Sequence, residues 1–148
     1  WRRRNRGFRF ACILMPRRIP LWRSSARATS SGLITRTKKY VTPSSPSVLP
    51  SITNKSLQTI AKDEGMTVEQ RDIEVLELDS FDEVIACGTA VVVTPVGSLT
   101  RLNSDGDEPS KYQFSEDVGK TTRSLYDQVR SVQNGEADDK HNWNFKVQ

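Results

Sequence analysis

Two short segments of this 148-residue chain carry the kinds of donor that an anion needs. In the first, Leu49-Pro50-Ser51-Ile52-Thr53 leads into Leu57, Ile60 and Ala61 at helical spacing, which predicts a helix from near Thr53 to Gly65. Thr53 is the expected N-cap. Unpaired backbone N–H groups at Ile52 and Thr53, the positive end of the helix dipole and a hydroxyl would converge there. In the second segment, Gly88-Thr89-Ala90 interrupts the most apolar run of the chain, residues 84–96. A glycine there lets the backbone approach a ligand closely, and Thr89 adds a hydroxyl donor. Taken singly, the first segment suits an ordinary helix cap and the second a turn in the core, because caps and turns are far commoner than ligand sites. The remaining reactive residues are few: Cys12 and Cys87 lie far apart with no CxxC, and His141 is the single histidine. They form no zinc-ligand pattern, and the only histidine available as a base for a serine or cysteine nucleophile falls in a polar tail.

The elements that must position these segments follow from periodicity. Tyr40-Val41-Thr42 reads as a short strand, and Pro43, Pro46 and the serines around them as an extended connection. Met66 to Asp72 alternates as a strand, and Glu74 to Glu83 forms a short helix. Residues 84–96 are rich in β-branched side chains and read as buried strand broken by a turn at Gly88-Thr89, with Ala90 to Thr94 central in a sheet and Pro95 at a strand end. Asn103 to Asp107 makes a hairpin turn and Lys111 to Phe114 the returning strand. Val118, Thr122, Leu125, Val129 and Val132 mark an amphipathic helix over residues 118–134, closed by Gly135.

Charge is segregated. Residues 1–40 hold 12 basic residues and no acid, whereas residues 41–148 hold 10 basic and 18 acidic ones. The net charge of +4 therefore describes neither part, and a nucleic-acid-binding function is not implied by it. An arginine-rich arm with interspersed aromatics has the ingredients for RNA binding, but nothing else in the chain supports that reading. Residues 1–38 are expected to be a disordered basic arm, either an organelle transit peptide or mistranslated sequence. No apolar run, Ala11 to Met15 included, is long enough for a membrane span, so no membrane association is expected.

The order and spacing of Leu49-Pro50-Ser51-Ile52-Thr53, Asp82-Glu83-Val84 and Gly88-Thr89-Ala90-Val91-Val92-Val93-Thr94-Pro95-Val96 resemble the C-terminal part of the branched-chain amino acid aminotransferases. Val118-Gly119-Lys120, Asn134-Gly135 and Trp143 extend the likeness over residues 39–148. The resemblance implies an α+β architecture, the incomplete large domain of the fold-type IV enzymes that use pyridoxal 5'-phosphate (PLP). It implies that Leu49 packs against the cofactor ring, that the amides of Ile52 and Thr53 and the hydroxyl of Thr89 bind the cofactor phosphate, and that the Ala90 N–H contacts the substrate carboxylate. Substrates would be leucine, isoleucine or valine with 2-oxoglutarate, in a homodimeric parent enzyme located in mitochondrion or plastid if the arm is a transit peptide, and otherwise in the cytoplasm.

The chain departs from the family pattern in three ways. Serine stands at position 51, where the family usually has glycine. The positions of a CxxC found in animal mitochondrial members hold Val91 and Thr94, which removes a thiol switch and leaves Cys87 as a small buried apolar residue. The lysine that bonds to the cofactor and moves the proton, and the acid of a Glu-Gly motif, belong upstream of Leu49, where the chain has neither a Glu-Gly pair nor a suitably spaced lysine. No catalytic residue is assigned, and the chain is expected to be a C-terminal portion, inactive alone. The alternatives are a noncatalytic phosphate-binding module, a D-amino acid aminotransferase or an aminodeoxychorismate lyase.

Overall fold

The computed structural model describes residues 11–14, 21–22, 29–44, 50–101, 110–114, 117–145 and 147. Its centre is a five-stranded mixed sheet built from β3 (Thr29–Ile34), β4 (Lys39–Pro43), β5 (Thr67–Arg71), β7 (Glu83–Gly88) and β8 (Val92–Pro95), in the order β5-β4-β3-β7-β8. The β4–β5 pair is parallel and the other pairs are antiparallel. Helices α1 (Ile52–Asp63) and α2 (Lys120–Gln133) pack on one face of this sheet and against each other. β1 (Ala11–Leu14) runs parallel to β9 (Ser98–Arg101), which pairs with β10 (Ser110–Gln113), and β2 (Leu21–Trp22) pairs with β6 (Ile73–Glu74).

Burial on both faces explains the unbroken apolar run in β7, because successive side chains of a strand point to opposite sides. Ile85 and Cys87 join Leu57, Ile60, Ala61, Leu125 and Val129 beneath the helices. Val84 and Ala86 point the other way, into a cluster with Val75, Leu78, Phe81, Val96 and Leu99. The segment expected to be a short helix there is the 3-10 helix Val75–Ser80, which brings Leu78 and Phe81 onto that face. Gly32 of β3 lies directly under Phe81: a Cβ at Gly32 would come within 2.6 Å of the ring, so the close approach requires glycine.

Three expectations are corrected. Residues 29–38 are not part of a disordered arm, because β3 is the middle strand of the sheet, hydrogen-bonded to β4 on one side and β7 on the other. Its sequence, Thr29-Ser30-Ser31-Gly32, hid it: Ser30 and Ser31 are almost fully buried yet lack the β-branched signature of a core strand. Residues 90–94 are not central, since β8 forms an edge of the sheet and begins only at Val92. Thr53 is not a helix cap; α1 starts one residue earlier and is capped by Ser51. The strand, helix and glycine expectations at 40–42, 66–72, 111–114 and 118–134 hold to within one or two residues, with Gly65 and Gly135 in the left-handed conformation at φ 75° and 72°. The expected hairpin turn at 103–107 lies outside the described residues. Among the described residues no helix is long and apolar enough to cross a membrane.

Candidate functional site

The first turn of α1 is closed from outside the helix by Ser51, which has extended backbone and accepts a 3.1 Å hydrogen bond from the Asn54 N–H at its hydroxyl. Its carbonyl accepts from the Lys55 N–H at 3.0 Å. The N–H groups of Ile52 and Thr53 between them have no partner among the described residues, as expected for the first turn of a helix. No acidic residue lies in that turn, and the Ile52 side chain is 73% exposed. The positive end of α1 is therefore open and not neutralised by its own helix.

The second segment follows β7. The chain turns through Thr89 and Ala90, both exposed, and re-enters the sheet at Val92. Val92 has φ 60°, and the Val93 N–H donates to the Val91 carbonyl at 2.8 Å, which makes a γ-turn about a β-branched residue. Such a conformation costs about 1–3 kcal/mol and persists only where the surroundings enforce it. Here the Val92 side chain is fixed in the core beneath α1 and α2, so the strain is held by packing. At Gly88 an added Cβ would meet nothing within 4 Å, which leaves open space at the end of β7.

Cys87 is the last buried residue of β7 before the turn. Its thiol is pushed up to about 11 by burial, and a hydrogen bond with the Ser51 hydroxyl opposes that shift. The Cys87 side chain packs with Leu57, Ile60 and Ala61, so the end of β7 lies beneath α1. Of the residues expected to form the site, Ile52 and Thr53 open α1, Thr89 and Ala90 stand exposed in the turn after β7, and Leu49 lies outside the described residues. The arrangement offers two backbone N–H groups, the Thr53 and Thr89 hydroxyls and a helix dipole to an anion.

The other helix end is different in kind. Gly119 caps α2 without a side chain, and the Glu83 carboxylate accepts from the N–H groups of Thr121 and Thr122 at 3.3 and 2.9 Å and from the Thr122 hydroxyl. A Cβ at Gly119 would lie 1.9 Å from the Glu83 carboxyl carbon, so glycine is required for this internal acid to fill the helix end. Neither Glu83 nor Ser51 stood out in the sequence as a cap. Ser51 was legible as one, since serine two residues before a threonine is an equally good N-cap candidate, whereas the Glu83–Gly119 contact spans 36 positions and leaves no local signal.

The amino-transferase class IV family matches residues 25–99, about half of the chain, from just before β3 to β9. The chain belongs to that family. Among class IV aminotransferases it is 41% identical over 115 residues to the branched-chain-amino-acid aminotransferase of Helicobacter pylori, covering 77% of this chain and 32% of that protein. It is 38% identical over 101 residues to branched-chain-amino-acid aminotransferase 5, chloroplastic, of Arabidopsis thaliana, covering 68% of this chain and 23% of that protein. The solved branched-chain amino acid aminotransferase of Escherichia coli superposes with a TM-score of 0.67 at 26% identity, over 84% of this chain and 39% of that one. The fold is thus that of the fold-type IV aminotransferases, and the chain spans about a third of the length of the curated relatives it matches. The family match begins upstream of residue 39, in agreement with the place of β3 in the sheet.

Proposed function

We propose that this chain supplies the phosphate-binding part of the PLP site in a branched-chain amino acid aminotransferase, acting on leucine, isoleucine or valine with 2-oxoglutarate in a homodimer. The observation that supports this reading is the open first turn of α1, with the Ile52 and Thr53 N–H groups unused and the end of β7 packed beneath that helix, in a class IV aminotransferase chain. The donors fit a phosphate ester: they are neutral or positive in sign, no carboxylate lies in the first turn of α1, and Gly88 leaves room for close approach.

When bound, PLP supplies the electron-withdrawing ring that makes the amino acid's α-carbon acidic. The chain's own residues hold and orient. The Ile52 and Thr53 amides and the Thr89 hydroxyl fix the phosphate, Leu49 supports the ring, and the Ala90 N–H aligns the substrate carboxylate. Exact placement of this kind is what converts binding energy into rate. No residue of the 148 is given the proton-transfer role, and the chain assayed alone is expected to be inactive. The acid-free, arginine-rich opening residues suit an organelle-targeting role, in keeping with a relative named chloroplastic.

The test is a comparison of PLP with pyridoxal, its phosphate-free analogue, each titrated into the 148-residue chain by absorbance and equilibrium dialysis. PLP is expected to bind at least tenfold more tightly, because only it engages the charge-assisted donors. Equal affinities would remove the phosphate reading.

A further inference from the structure

Directly behind the open end of α1 lies a buried polar cluster that phosphate binding itself does not use. Asn54, the third residue of the helix, is 8% exposed and points at the sheet. Its Oδ1 accepts from the Tyr40 hydroxyl at 2.7 Å and the Ser31 hydroxyl at 3.3 Å, and its Nδ2 donates to Thr42 Oγ1 at 3.0 Å. Its backbone N–H donates to Ser51 Oγ at 3.1 Å. We propose that Asn54 is a positioning residue for the anion site: its neutral carboxamide ties the first turn of α1 to β3 and β4 while leaving the positive end of the helix for the ligand. The inference rests on the phosphate reading of that helix end.

The geometry gives the reason for an amide. Ile52 and Thr53 lie between Ser51 and Asn54, and both flanking residues are anchored, so the directions of the two free N–H groups are fixed from either side. Three hydroxyls converge on one side chain, and they need both an acceptor with two lone pairs and a donor, which asparagine provides. Burial also raises the Tyr40 phenol far above its usual value, so it stays a neutral donor to Asn54. An apolar residue at 54 would leave Tyr40, Ser31 and Thr42 without this shared partner. A carboxylate would satisfy the hydroxyls but would sit at the third helical position, where an acid neutralises the helix dipole and would repel a phosphate. α2 shows that alternative within the same fold, its N-terminal N–H groups being occupied by the Glu83 carboxylate.

The experiment titrates inorganic phosphate into the ¹⁵N-labelled 148-residue chain and follows the amide signals of Ile52 and Thr53, with the melting temperature measured in phosphate-free buffer. In the unsubstituted chain both signals should shift saturably. Asn54→Asp changes almost no volume and keeps an acceptor for Tyr40 and Ser31. It should leave the melting temperature within a few degrees but weaken phosphate at least tenfold, as expected for one negative charge placed behind the site. A structural role alone would give no such split. Tyr40→Phe, which removes one anchor and adds no charge, should weaken phosphate by about threefold, and it decides the matter if the first variant does not fold. If the unsubstituted chain shows no saturable shift at Ile52 and Thr53, the phosphate reading fails and the inference with it. If that chain binds and both variants match it within twofold, the inference fails alone.

Discussion

Thr89→Ala removes a single donor from the site and little else. The residue is exposed, and its hydroxyl has no hydrogen-bond partner among the described residues, so deleting it leaves no buried group unsatisfied. A surface change of that kind alters stability by no more than about 0.5 kcal/mol. In the bound state the same hydroxyl would donate to a doubly charged phosphate, an interaction of about 1.5–3 kcal/mol. With about 1.4 kcal/mol per decade, the dissociation constant for PLP should rise by roughly ten- to a hundredfold, while pyridoxal binding stays unchanged. Equilibrium dialysis with PLP and with pyridoxal, alongside thermal unfolding without ligand, reads all three quantities. An unchanged PLP constant would refute the role of Thr89. A melting temperature lowered by many degrees would show instead that the hydroxyl serves the fold.

Two further outcomes follow from contacts elsewhere in the molecule. Gly119→Ala should destabilise the chain by about 1–3 kcal/mol through displacement of the Glu83 carboxylate from the α2 N-terminus, and Glu83→Ala should cost a similar amount. Urea unfolding of both and of the double variant should show strong non-additivity, the double being little worse than Glu83→Ala; additive losses would mean the two residues do not act on each other. Acidification should also weaken the fold. The Glu69 carboxyl is held below its usual range by Lys39 and Arg71, and that of Asp82 by the Thr35 hydroxyl and N–H. Groups with depressed values contribute stability that is fully present above their unfolded values of about 4 and is lost as pH falls through the folded ones. Urea midpoints should therefore be level from pH 7 to about 5 and drop below 4, and a midpoint that rises on acidification would contradict the assignment.

Where a residue's role is local, the sequence showed it. Leu57, Ile60 and Ala61 marked the buried face of α1, Gly65 and Gly135 the helix ends, and the run from Val84 to Cys87 a buried strand. Where the role depends on a distant partner, the pattern was silent. β3 is built from Thr29, Ser30, Ser31 and Gly32, small residues that look like linker, and it is a strand because β4 and β7 pair with both its edges and Phe81 covers Gly32. Sheet order is likewise a property of long-range pairing, so the edge position of β8 could not be read from its β-branched residues. The candidate site was legible as two segments, but the packing of Cys87 of β7 against Leu57, Ile60 and Ala61 of α1 joins residues far apart in the chain and left no local signal.

The two helices together show how one fold decides which of its helix ends a ligand can use. Both α1 and α2 begin with N–H groups that lack a partner within the helix and carry no acid in the first turn, so the helix itself does not distinguish them. What differs is the strand beneath. β7 begins with Glu83, whose carboxylate reaches the α2 N-terminus across the gap that Gly119 leaves, and it ends with Cys87, buried beneath α1, and Gly88, beside which the space is open. One strand therefore neutralises one helix dipole with its first residue and leaves the other unopposed at its last. Exchanging the charges, with an acid near α1 and a neutral residue at 83, would move the favourable anion position from one end of β7 to the other without altering a single strand pairing.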